Sequence, residues 1–188
     1  MAKLKKFLDR CLEALVMVVV AVLVIDVLWQ VVTRFGSKVA PWITSHEWNG
    51  RLASFAVNLT KGIQPSSWTE ELATFLLIWV ALLGSAVALG RGAHLGIDYF
   101  VSKLPERTRM RTELFVFACV SLFSLLVMVC GGIHLVTRTL ALDQTSPALQ
   151  LPIGYVYLAV PISGAFLVLY SLLGFFERLK VIRQGESQ

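Results

Sequence analysis

Four long apolar stretches constrain this chain before anything else: Leu12–Val32, Leu72–Leu89, Leu114–Val136 and Tyr155–Phe176. A hydrocarbon core about 30 Å thick is crossed by about 20 helical residues rising about 1.5 Å each, so all four are long enough to span it. Lipid offers no partner for a free N–H or C=O, which rules out open strands and leaves helices that satisfy their own backbone. The reading is an all-α integral membrane protein. One membrane domain over 1–188 carries transmembrane helices at about 12–34, 70–90, 113–136 and 152–177. Composition agrees, since 56% of residues are hydrophobic and only 15% charged, against about 45–50% and about 25% in a soluble domain.

The 17 Lys and Arg report orientation. Lys3, Lys5, Lys6 and Arg10 precede the first helix, Arg91, Lys103, Arg107, Arg109 and Arg111 lie in the second connection, and Arg178, Lys180 and Arg183 follow the fourth helix. Those twelve fall on one side, whereas Arg34, Lys38, Arg51, Lys61 and Arg138 fall on the other. Basic loops stay cytoplasmic, so both termini are predicted to be cytoplasmic. A net charge of +5 would suggest nucleic-acid binding in a soluble chain. In a membrane protein it reports topology, and no nucleic-acid partner is expected.

The first stretch also has the layout of a signal peptide, with a basic start and an apolar run over Ala14–Ile25. Apolar character resumes after Asp26 as VLWQVV, which favours an uncleaved signal-anchor helix. The long first connection carries its own pattern. Thr44 and Glu47 form a T-x-x-E capping box, and Trp48, Leu52, Phe55, Ala56 and Leu59 then share one helical face. Gly62 and Pro65 supply stop signals. An amphipathic helix over about 45–61 is predicted, lying along the outer interface or against a partner. Trp42, Trp48 and Phe55 are its candidate interfacial contacts. In the fourth stretch, Pro152 suits a helix start and Pro161 should kink the interior.

Few groups could carry chemistry. Asp26, with Gln30 one turn on, is the one acid well inside an apolar stretch. It is a candidate intramembrane polar contact, either an ion or proton site or a hydrogen bond to a neighbouring helix. Glu13 is expected in an interfacial ion pair with Arg10. His94 and His134 fall on opposite sides of the membrane, about 30 Å apart, so one haem cannot use both. His94 and Asp98 alone make a poor zinc site, which needs at least about three protein groups. Gly90, Gly92 and Gly96 do not follow the dinucleotide spacing, and they follow a membrane helix rather than a strand. Cys119 and Cys130 are eleven residues apart, about 16 Å along a helix, and with Cys11 read as small buried hydrophobes. No enzyme, cofactor or metal is expected of this chain.

WTEELATFLLIWVALLGSAVALGRGAHLGIDYF, followed by LPERTR, resembles the small membrane subunit of tripartite ATP-independent periplasmic (TRAP) transporters, the DctQ-like family. The signature falls at Trp68, Glu70, Glu71, Trp79, Gly84, Arg91, His94 and Asp98, and TSPAL followed by LPIGYVYLAVPISG is similar to the family's fourth helix. The resemblance covers most of 68–176; the first connection is longer than in a minimal member.

The resemblance implies a partner-dependent role in a bacterial or archaeal inner membrane. A large multi-helix subunit carries the substrate and sodium sites, and a periplasmic binding protein delivers an organic acid anion such as a C4-dicarboxylate or sialic acid. The small subunit braces the large one and helps dock the binding protein. On that footing Glu70, Glu71, Trp79, Gly84, Arg91, His94 and Asp98 are candidate contacts to the large subunit or to membrane lipid. Gly84, Ser85, Gly131, Gly132 and Gly164 would permit close helix approach. A rival from another class is a stand-alone proton-coupled exporter using Asp26 or Glu13.

Overall fold

The computed structural model describes residues 2–45, 67–91 and 105–185. Helix α1 spans Ala2–Ser45 and α2 spans Ser67–Gly90. The third span starts as α3 (Glu106–Phe123), widens into a π-helical segment over Ser124–Gly131, and finishes as α4 (Gly132–Ala141). The fourth consists of a short α5 (Ile153–Tyr157) and a long α6 (Ala159–Gly185). Four helical stretches are long and apolar enough to cross a membrane: Phe7–Phe35, Ser67–Gly90, Thr108–Ala141 and Ile153–Lys180. The all-helical, four-span reading therefore holds.

Two expectations need adjustment. The first helix runs 44 residues, about 66 Å, well past the predicted end at 34. Hydropathy marks where the chain leaves lipid, not where the helix stops, and the hydrogen-bonded ladder continues through the interface. Thr44 therefore lies in the last turn of α1 and is not the N-cap of a new helix. The rest of the predicted amphipathic helix, with Trp48 and Phe55, lies outside the described residues, and so do His94 and Asp98.

The expected kink at Pro161 takes the form of a break at Leu158, between α5 and α6. Pro161 has no N–H to donate, and its ring displaces the carbonyl four residues earlier, which belongs to Tyr157.

The helices stand in a row. Helix α1 packs on α2, α2 on α6, and α6 on α3 and the π segment, while α1 reaches α6 through side chains near its start. A row leaves both broad faces open, and large side chains such as Ile25, Leu28, Trp29, Phe115, Leu122 and Phe176 are exposed on it, as are Cys11, Cys119 and Cys130, which were expected to be buried. Such a surface would aggregate in water but suits lipid or a membrane partner.

Close approach along the α6 seam is made possible by glycine. A Cβ on Gly164 would lie 2.6 Å from the Cβ of Met128, and one on Gly174 would lie 2.6 Å from the Phe117 ring. A Cβ on Gly154 would meet Leu140 at 2.6 Å, and one on Gly132 would lie 3.0 Å from Pro161. Gly84 has nothing within 4 Å and Gly131 meets only its own segment, so these two expected contacts are not made within the chain.

Candidate functional site

The polar side chains gather at the two rims of the helix row. At the basic rim, the Arg91 guanidinium donates to the Glu13 carboxylate at 2.9 Å, joining the end of α2 to the start of α1. That carboxylate pushes the Arg91 pKa further above its ordinary value. Tyr170 of α6, 4% exposed, hydrogen-bonds to Asp9 of α1, so α1, α2 and α6 are fastened at one level. Its ring lies against Gly90, where a Cβ would sit 3.2 Å away. Below it Leu12, Leu83 and Ala86 form a small core with Tyr170, and Trp79 packs against them. On the far side of α6, Glu113 of α3 takes Arg178 at 3.1 Å and Arg109 at 3.2 Å.

At the opposite rim the two adjacent acids of α2 point in different directions. Glu70 faces Arg34 of α1 at 3.8 Å, an exposed pair. Glu71 turns the other way. Its carboxylate accepts the consecutive backbone N–H groups of Ala148 and Leu149, each at 3.0 Å. Two successive amides converging on one anion form a nest. The surrounding turn is closed by the Thr145–Pro152 bridge and by the Ser146 N–H donating to the Leu151 carbonyl at 2.9 Å. Asp143 and Gln150 take left-handed backbone angles, φ 48° and 51°, to fit it.

The same 21-residue step separates Glu13 from Arg34 on α1 and Glu70 from Arg91 on α2. That step is about 32 Å of helix, close to the hydrocarbon thickness of about 30 Å. The two ion pairs thus sit where an antiparallel pair of helices leaves lipid at each end, with one acid and one base on each helix.

The structure brings Glu70, Glu71 and Arg91 into contacts within the chain. Trp79 sits half-buried in the small core and Gly84 faces open space. Asp26 is 7% exposed, and its Oδ2 has no hydrogen-bond partner among the described residues. Gln30 engages through its backbone carbonyl, which accepts the Thr33 hydroxyl at 3.0 Å. Trp42 falls in the last turns of α1. Sequence reasoning assigned Glu13 to Arg10, whereas its hydrogen bond is to Arg91. It also missed Arg34, Asp9, Tyr170, and the Glu113 pairing with Arg109 and Arg178. The available signal was opposite charge at matching steps along antiparallel helices, as in the 21-residue spacing.

Comparison with known proteins adds a family to this geometry. The family described as tripartite ATP-independent periplasmic transporters, DctQ component, matches residues 54–181. The chain is 27% identical over 168 residues to the C4-dicarboxylate TRAP transporter small permease protein DctQ of Rhodobacter capsulatus, covering 86% of this chain and 73% of that one. It is 25% identical over 179 residues to the sialic acid TRAP transporter small permease protein SiaQ of Vibrio cholerae, covering 95% and 87%. A 34% identical match of 107 residues links it to the isethionate TRAP transporter permease protein DctMQ of Oleidesulfovibrio alaskensis, covering 57% of this chain but only 17% of that longer protein.

Proposed function

The chain belongs to the DctQ component family of tripartite ATP-independent periplasmic transporters, and on that premise we propose that it is the bracing small subunit of a sodium-coupled importer. The observation that carries this reading is the match over 54–181, which takes in three of the four spans and both rim acids of α2. Members of the family are transporter permease components, so no reaction is assigned to this chain. It is a multi-pass membrane protein, and the bacterial inner membrane is the proposed location, with the basic rim cytoplasmic.

The partner is a large multi-helix permease subunit, which would hold the substrate and the sodium ion. A periplasmic binding protein would deliver the substrate. The substrates in the relatives' names, a C4-dicarboxylate, sialic acid and isethionate, are all organic anions, which supports that class for the cargo. A bracing role suits the geometry. The rim charges are largely spent on one another, and the broad apolar faces of the row stay free for a membrane partner. The stand-alone exporter has Asp26 as its one support, because Glu13 is tied to Arg91.

Reconstitution tests this. Sodium-driven uptake of an organic anion is expected only when this chain, the large permease and the binding protein are all present, and the large permease should copurify with the tagged chain. Proton-driven transport by this chain alone would overturn the reading in favour of the exporter.

A further inference from the structure

The two edges of the helix row differ in kind. On α1, Asp26 and Thr33 are buried with Leu12 on the face turned to α2. The face turned outward presents Met17, Ile25, Leu28 and Phe35, each exposed and apolar. Hydrocarbon satisfies such an edge completely.

The other edge, in its outer half, is α4. It packs on α5 and α6, and its buried residues Gly132, Val136 and Thr139 lie along one stripe. With 3.6 residues per turn, His134 and Arg138 fall about 150° round the helix from the centre of that stripe. Both are exposed, pointing away from the row. The His134 carbonyl takes the Thr137 hydroxyl within the helix, but neither the His134 nor the Arg138 side chain has a hydrogen bond or ion pair among the described residues. Cys130 and Gly131 continue the same face, where a small residue lets a neighbouring helix come close.

Depth makes this demand expensive in lipid. His134 lies about 10 Å and Arg138 about 5 Å inward of Ala141, where α4 ends. Every Cα–Cβ bond of a helix leans toward its N-terminus, which for α4 is away from the turn that carries Ala148 and Leu149. Arg138 therefore leans back over His134, one turn deeper, and not toward the nearer headgroups. A guanidinium held at membrane depth is costly unless an acid meets it. The free face of α2 also shows hydroxyls, Thr74 and Ser85, yet each already donates to a carbonyl of its own helix. Area does not choose between the broad faces of the row and its edges; unmet demand for a hydrogen-bonding partner does.

We propose that the α4 edge is where the large permease docks, through an aspartate or glutamate of one of its membrane helices whose carboxylate accepts from both Arg138 and His134. The inference rests on the bracing-subunit reading above. A carboxylate suits the pair, because the guanidinium carries only donors and its planar fork matches two oxygens. A phospholipid headgroup, the other source of an oxyanion, lies on the side from which Arg138 leans away. The α1 edge is left to lipid.

Photocrosslinking in membranes that hold this chain and the large permease tests it. Cys130→benzoylphenylalanine should crosslink to the large permease, and Ile25→benzoylphenylalanine on the α1 edge should not. Arg138→Glu should lower copurification of the large permease roughly tenfold or more. The unfolding midpoint of that variant purified alone should stay in place, because the side chain faces away from the row. The crosslinks keep Arg138 unaltered and so decide the matter if the variant does not fold. Crosslinking from position 25 and not from position 130, crosslinks from position 130 to lipid alone, or full copurification of the Arg138→Glu variant overturns the proposal. Each of these leaves the bracing reading standing as long as the wild-type chain brings down the large permease. Failure of the wild-type chain to do so sinks that reading and this inference with it.

Discussion

The Glu71 carboxylate accepts the backbone N–H of Ala148 at 3.0 Å across 77 residues of sequence, and the adjacent Leu149 N–H joins it at the same distance. An acid in the first turns of a helix is ordinarily explained by the positive end of the helix dipole. Here the carboxylate also organises a separate turn. Glu71→Ala should leave the Ala148 and Leu149 amides without their acceptor. Their hydrogen exchange is expected to accelerate roughly tenfold or more, with the helical core unaffected. Unchanged exchange at both amides would mean that the turn holds itself.

The pair of Glu13 and Arg91 closes the basic rim between α1 and α2. Glu13→Arg and Arg91→Glu should each place like charges against one another and lower the yield of folded protein extracted from membranes. The double variant exchanges the charges and should recover most of that yield. If the exchange is as poor as either single change, the two residues do not act on each other.

Much of this architecture is legible in the residues, and what is not has physical reasons. The four spans follow from hydropathy and length, because lipid enforces both. Glu70, Glu71 and Arg91 stand out as charges at helix ends, yet their partners do not. Arg91 meets Glu13 only once the antiparallel register of α1 and α2 is known, and a local neighbour such as Arg10 is the natural but incomplete choice. The partners of Glu71 are backbone amides, which every residue carries, so nothing in TSPALQ announces them. Small residues mark close approach only when they face a neighbour. Gly132 and Gly164 do, whereas Gly84 and Gly131, equally small, do not.

That contrast yields a third prediction. Gly164→Leu forces a side chain into Met128, where even a Cβ would sit 2.6 Å from its neighbour. Overpacking of this kind costs about 1–3 kcal/mol, read as a lower unfolding midpoint of the purified chain in detergent. Gly84→Leu meets nothing within 4 Å and should leave that midpoint in place. The order of the two variants is the test: a Gly84 variant as damaged as the Gly164 variant would contradict the packing described.

Asp26 is the residue whose cost the chain does not visibly recover. It is 7% exposed on α1, and its Oδ2 has no partner among the described residues. A buried polar atom left unpaired costs about 1–3 kcal/mol. Asp26→Leu should therefore raise the stability of the purified chain by an amount of that order, while Asp26→Asn should change it little. Thermal unfolding of the three proteins in one detergent checks this directly, and a destabilised leucine variant would show that Asp26 has a partner within the fold. Uptake by the assembled transporter is the complementary reading. A leucine variant that is more stable alone but impaired in the complex places the use of Asp26 in the assembly. Unimpaired uptake means that the assembled transporter makes no use of Asp26.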